Sequence, residues 1–247
     1  MHVSHPDFHA PTNPDVPIWR YMDLAKFASM CQSNALHFAR ANIMEDVFEG
    51  STSQATVDAR RTSLGRDVTD AEFNEYDTQM TAGAKRLPSY LYLNCWHMNE
   101  HESVAMWKIY QSGAPQGIAI RSTYRRLSES ITDATGILIG TVTYADYAAD
   151  VMPEGVFARF LHKRVSFEYE REIRAVHLAQ RHDDRTPWLP EGPPVVPISV
   201  DLDKLVETVY VSPKAPAWFA DVVRDVTVRY GKSWPVQYSS LDSDPVY

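Results

Sequence analysis

Cysteine is almost missing from this sequence. Its 247 residues hold only Cys31 and Cys95, too few for a disulfide framework or a thiolate metal cluster, so a reducing, cytoplasmic setting is expected. Long apolar runs are missing too. No stretch approaches the roughly 18 uninterrupted apolar residues that a membrane span requires, and the segment from Met1 to Pro17 lacks the apolar centre of a secretion signal. Positive charge is in short supply: 24 Lys and Arg stand against 32 Asp and Glu, a formal net charge of −8. A broadly basic surface for neutralising phosphates is therefore excluded, and nonspecific nucleic-acid binding with it. There is no internal repeat and no run of regular βαβ units, which argues against a solenoid or a doubly wound sheet.

What is present is a 44% hydrophobic chain, long enough to bury one substantial core. Residues 1–17, with His2, His5, His9 and four prolines, read as an irregular arm rather than a metal-binding tail. Residues 18–247 read as a single α+β domain. Ile18 to Tyr21 is a short aromatic strand, and Leu24, Phe27, Ala28 and Cys31 recur at helical spacing behind an Asp23 cap. Ala35 to Ala39 is a second strand. Ser53 to Arg86 is a polar helical insertion. Further strands are predicted at Tyr90–Trp96, Gly117–Ser122, Ile137–Tyr144, Phe167–Leu178, Pro197–Val200, Val206–Val211 and Val236–Ser239. Helices are expected over Glu102–Gln111, ending near Gly113, over Tyr124–Ser130, as a turn at Phe157–Lys163, and from Pro216 to Tyr230. The proline-rich stretch from Pro187 to Pro197 is the best internal break. Short strands with irregularly inserted helices favour a mixed, mostly antiparallel sheet with flanking helices.

The clearest period-two pattern runs from Phe167 to Leu178. In a strand it puts Phe167, Tyr169, Ile173 and Ala175 on one face and Glu168, Glu170, Glu172 and Arg174 on the other. Two carboxylates about 7 Å apart with a guanidinium beyond them can hold one Glu ionised and raise the other. The same residues could equally form a solvent-facing salt-bridge ladder. His97-Met-Asn-Glu100-His101 matches the inverted zincin pattern by letters, but His97 follows a strand directly and the two imidazoles would not share a helix face, so no metal is expected. Trp107 and Tyr110 lie three apart on the predicted helix. They are either core or flat walls for stacking on a base or nicotinamide ring. Arg20, in an aromatic strand, is either a surface cation or a phosphate anchor.

Taken in order, these segments resemble an uncharacterised bacterial family, a domain of unknown function. Its members have an aromatic-Arg strand (Trp19-Arg20-Tyr21), a Leu-x-Phe-Ala strand (Leu36 to Ala39), a Met-Trp-x-x-Tyr helix (Met106 to Tyr110), a Gly-Ile-x-Ile strand (Gly117 to Ile120) and a Tyr-Glu-x-Glu-x-Arg strand (Tyr169 to Arg174). Where the family has Asn-Asp-Pro-Phe-Glu, this chain has Glu45-Asp46-Val47-Phe48-Glu49. A more distant similarity is to ADP-ribosyltransferases, whose early strand carries Arg or His and whose late strand carries Glu-x-Glu. In this chain Asn94-Cys95-Trp96 takes the place of the Ser-Thr-Ser strand of the arginine-modifying members.

The second resemblance implies an enzyme that consumes NAD as a toxin or defence effector. Arg20 would anchor NAD, with Trp107, Tyr110 and Arg174 also in the binding site. Glu172 would be the catalytic carboxylate and Glu170 would orient a macromolecular acceptor. The alternative is a non-catalytic module that binds a nucleotide or a protein, with the Glu/Arg residues as a structural ladder.

Overall fold

The computed structural model describes residues 1–65, 68–110, 116–179 and 192–243. Residues 1–16 form no regular element apart from a bridge of His2 to Ile137, yet they pack closely: Val3 N–H donates to Ile137, Thr141 N–H donates to His9, and Phe8 lies against Gly140. Strand β1 (Pro17–Asp23) leads into helix α1 (Leu24–Ser33), whose start is fixed by the Asp23 carboxylate accepting from Lys26 N–H and whose end is Asn34 in the left-handed region. Its Phe27, Met30 and Cys31 are buried. Strand β2 (Ala35–Arg40) follows, and then two polar helices, α2 (Gln54–Ser63) and α3 (Asp70–Arg86), in place of one helical stretch. Helix α3 opens with a reciprocal Thr69/Glu72 capping box, and buried Arg60 on α2 pairs with Asp77 on α3 and with Glu154.

Strand β3 (Leu91–Met98), helix α4 (Val104–Tyr110), strand β4 (Gly117–Thr123) and helix α5 (Tyr124–Ser130) come next. The helix end expected near Gly113 lies outside the described residues. The predicted strand 137–144 is divided into β5 (Leu138–Thr141) and β6 (Thr143–Ala145). The turn predicted at 157–163 becomes a 3₁₀ turn, Ala158–Phe160, followed by β7 (His162–Arg164), which pairs in parallel with β6. Strands β8 (Glu172–Leu178) and β9 (Val195–Ser199), helix α6 (Leu202–Leu205), strand β10 (Thr208–Val211), helix α7 (Ala217–Arg229) and strand β11 (Val236–Tyr238) complete the chain. Of the proline-rich stretch, residues 187–191 lie outside the described residues, and its end enters β9.

The main sheet runs β11-β10-β4-β1-β3-β2-β9, with β8 pairing β3 and β5; every pairing in it is antiparallel except β10 with β11. The fold is thus a mixed α+β arrangement with a mostly antiparallel sheet and flanking helices. One face packs Ile18, Phe38, Trp96, Ile118, Ile120, Ile173 and Ala175 against α1, α5 and α7. Each Leu- or Phe-sized side chain buried there contributes about 1.5–3 kcal/mol. The opposite face carries two smaller clusters, one around Leu91, Leu93, Val176 and Phe160 and one around Trp19, Tyr21 and Trp107. No helix of the described residues is long and apolar enough to cross a membrane.

One feature of the register places the site. Strand β8 lies along β3 from Leu91 to His97 and so occupies one edge of it. On the other edge β2 pairs only at Tyr92 and Leu93, and β1 only at His97 and Met98. Strands β1 and β2 therefore splay apart, opening the sheet beside Asn94, Cys95 and Trp96. Side chains bridge the opening: Arg20 Nη1 donates to Cys95 O at 2.7 Å, and Asn94 Nδ2 donates to His37 O at 2.9 Å.

Candidate active site

A cleft of about 640 Å³ lies at this opening, lined among others by Arg20, His37, Cys95, His97, Tyr110, Lys163, Glu170 and Glu172. That volume falls within the range of small-molecule sites. Strand alternation puts Glu172 and Arg174 on the same face of β8, away from Ile173 and Ala175, which are core.

Glu172 is buried, with a side-chain exposure of 5%. Arg174 Nε donates to its Oε1 at 2.6 Å and Nη2 to its Oε2 at 3.2 Å, with Lys163 Nζ 3.5 Å from Oε2. Burial alone would raise its pKa, but the charge and hydrogen bonds of Arg174, the charge of Lys163 and the Cys95 thiol outweigh it and hold the pKa at about 2. Glu172 is therefore ionised at neutral pH. Its backbone N–H is fixed by donation to Tyr144 Oη at 2.8 Å. Burial, followed by the neighbouring carboxylates, keeps the Cys95 thiol protonated by pushing its pKa well up.

The period-two pattern predicts one strand from Phe167 to Leu178; the structure begins the strand at Glu172. Residues 165–170 form a 3₁₀ turn, and Arg171 adopts the left-handed region at φ 42°. Tyr169 is exposed rather than core. Two contacts hold this turn: Lys163 forms a close ion pair with Glu170 and lies 4.6 Å from the centre of the Phe167 ring. Glu170 thereby reaches the cleft from the turn rather than from the strand, its pKa raised by burial, with Lys163 opposing.

Arg174, expected in the binding site, is instead engaged with neighbouring side chains and a carbonyl. Its five N–H donors are all taken, by Glu172, by Glu49 and by the Phe160 carbonyl, so none remains for a nucleotide. Trp107, also expected in the binding site, takes a different position. It is buried, bonded through Nε1 to Glu102 and packed edge-on against Tyr21, and it does not line the cleft. The aromatic wall is instead Tyr110, stacked with Tyr21 at 6.3 Å and 19°. Arg20 lines the cleft. Burial lowers its pKa, its guanidinium forms no ion pair among the described residues, and it lies over the Trp96 ring at 6.0 Å.

Glu49 and Lys163 are the site residues that sequence reasoning missed. Glu49 sits in the acidic 45–49 segment, but nothing local signals that it enters the core. Gly50, at φ 75°, makes that entry possible, because a Cβ there would come within 2.6 Å of the Phe160 ring. The segment is also strapped from outside by Arg164, which bonds Asp46 at 2.8 Å and lies 4.2 Å from the centre of the Phe48 ring.

The zincin-like letters fall on a strand and a turn. His97 is on β3 and buried, while His101 is exposed in the turn before α4. His97 Nδ1 contacts the Glu170 carbonyl at 2.6 Å; since a carbonyl only accepts, Nδ1 carries the proton. Burial lowers the pKa of this ring. Among the described residues no cluster of His, Cys, Asp and Glu could hold a metal ion.

No protein-family model matches this sequence, and none of the curated proteins does. Among solved structures, Thermus sp. 2.9 DarT in complex with carba-NAD+ aligns over 93% of this chain and 98% of that one, at 8% identity and a TM-score of 0.43. So remote a likeness leaves the chemistry of the cleft to its own side chains.

Proposed function

We propose that this chain is an NAD-consuming enzyme, an ADP-ribosyltransferase or NAD glycohydrolase, acting as a toxin or defence effector. The observation that carries the proposal is that Glu172, ionised and clamped, lines the same cleft as Arg20, a cation with no carboxylate partner among the described residues. Arg20 is placed to take an anionic diphosphate through charge-assisted hydrogen bonds. Tyr110 and Tyr21 supply aromatic surface for a planar ring. Burial of Glu172 and Arg174 counts against a solvent-facing ladder, and with it against a purely structural role.

In this scheme the bond between the ribose and the nicotinamide nitrogen breaks, and its electron pair leaves with the ring, which becomes neutral. Positive charge develops on the ribose, where the carboxylate of the buried Glu172 stabilises it. Glu170 orients the nucleophile, water or an acceptor group, which adds to the ribose and loses its proton. Unchecked turnover would drain a cell of NAD, which fits the effector role.

The test is nicotinamide release from NAD by wild type and by Glu172→Gln, with folding checked by circular dichroism and binding by calorimetry. Turnover by wild type and its loss in the variant are expected. A wild type that neither binds NAD nor releases nicotinamide, with or without a cell extract as acceptor source, would overturn the proposal.

A further inference from the structure

Glu49 has no place in that scheme, yet the structure invests heavily in it. Its side chain is 4% exposed and its two oxygens take Arg174 Nη1 at 2.5 Å and Nη2 at 2.9 Å. It reaches this position from a loop, through the left-handed turn at Gly50 that only a glycine can make beneath Phe160. A buried carboxylate held at this cost in desolvation and backbone conformation needs a reason.

We propose that Glu49 is a positioning residue whose charge keeps Arg174 from neutralising Glu172. The inference rests on the NAD-consuming reading of the cleft and deepens it. A lone Arg174–Glu172 pair would fix the carboxylate but cancel its field, leaving little to stabilise a cation. With Glu49 on the far edge of the same guanidinium, the carboxylates of Glu49, Glu170 and Glu172 pair with two cations, Arg174 and Lys163, while Arg20 lines the same cleft outside this ion-pair cluster. With all three carboxylates ionised the cluster carries one negative charge in excess, and Glu49, Glu170 and Glu172 all line the cleft. Geometry and field are thus supplied by different partners: Arg174 orients Glu172, and Glu49 offsets Arg174. Burial raises the pKa of Glu49 while Arg174 opposes this. Glu172 and Lys163 also interact with its charge, as do Tyr147 and Cys95, whose pKa values are raised, chiefly by burial.

Two measurements test this. In steady-state NAD cleavage, Glu49→Gln should lower kcat tenfold or more with KM for NAD within about twofold, and Glu49→Asp, which restores the charge, should recover several-fold of that loss. A kcat for Glu49→Gln within twofold of wild type, or a Glu49→Asp enzyme as impaired as the Gln variant, would overturn the proposal. The second measurement needs no turnover: the infrared difference between wild type and Glu49→Gln at pH 7. Loss of a carboxylate band is expected. Loss of a protonated-carboxyl band would mean that Glu49 is neutral and would overturn the proposal even in an active enzyme. If wild type cleaves no NAD, the proposed function fails, and the infrared result still decides the charge state of Glu49.

Discussion

Arg174 Nε and Nη2 grip the two oxygens of Glu172, at 2.6 Å and 3.2 Å, from two residues further along the same strand. An i, i+2 spacing brings such groups to one face of a strand, but a two-point grip also demands that neither side chain has a better alternative. Burial removes the water that would compete. Glu172 is therefore fixed in orientation and in charge.

Glu172→Gln should lower kcat for nicotinamide release by about 10²–10³-fold or more, as for removal of a preorganised electrostatic group, with NAD affinity changed by less than about threefold. Breaking the buried pair should also cost about 3–5 kcal/mol. Pre-steady-state kinetics together with calorimetry would separate the two effects. An equal loss of binding and turnover would assign Glu172 to substrate anchoring instead.

The stability gap between wild type and Glu172→Gln should depend on pH. The folded pKa of Glu172, about 2, lies below its ordinary 4.5, so its contribution is fully present above about pH 4.5 and is lost as pH falls towards 2. The shift corresponds to about 3 kcal/mol. Urea unfolding of both proteins from pH 7 downwards should show the gap narrowing only below about pH 4.5. A gap unchanged down to pH 3 would contradict the ionised, clamped state.

Arg20→Ala should weaken NAD binding by about 1.5–3 kcal/mol, the scale of a lost charge-assisted hydrogen bond. The effect should be confined to ligands that carry phosphate, so calorimetry with NAD and with nicotinamide riboside gives the comparison. Equal weakening of both would mean that Arg20 acts only by bridging to the Cys95 carbonyl.

Tyr110→Ala should raise KM for NAD while leaving the unfolding midpoint nearly unchanged, because Tyr110 is 41% exposed. Trp107→Ala should instead cost about 3–5 kcal/mol of stability, since that ring is core. Reversal of these two outcomes would restore Trp107 to the binding surface.

Gly50→Ala should destabilise by more than Gly65→Ala. Both glycines have positive φ, so both substitutions incur the backbone cost of about 1–2 kcal/mol. Only at Gly50 does the added methyl meet another group, the Phe160 ring, adding about 1–3 kcal/mol of overpacking. Denaturant titration of the two variants gives the difference directly.

Most of the strands were legible from composition and from short apolar runs, since the central strands β1, β3, β4 and β8 are buried on both faces. The cap of the first helix was legible because Asp23 needs only the N–H groups of its own first turn. Arg20, Glu170, Glu172 and Tyr110 could be singled out by residue type and local spacing. The pattern misled where a local rule met a long-range contact. Alternation continues through Phe167 and Tyr169, but Lys163 draws Glu170 into a turn and Arg171 breaks the strand. Helical spacing groups Trp107 with Tyr110, yet helix position cannot say which of them faces a core on the sheet and which an opening.

By itself the sequence determined an α+β pattern, a surplus of acid, and a late strand rich in Glu and Arg, because each depends on composition or on neighbours a few residues apart. The tertiary structure decided what those charges do. Glu49 and Arg174 are 125 residues apart in the chain, and Arg20 meets Cys95 across 75. Which carboxylate is clamped, which cation is left free and where the sheet opens all depend on contacts at such separations. Local periodicity carries no record of these contacts, since their energy comes from groups brought together only after the strands have paired.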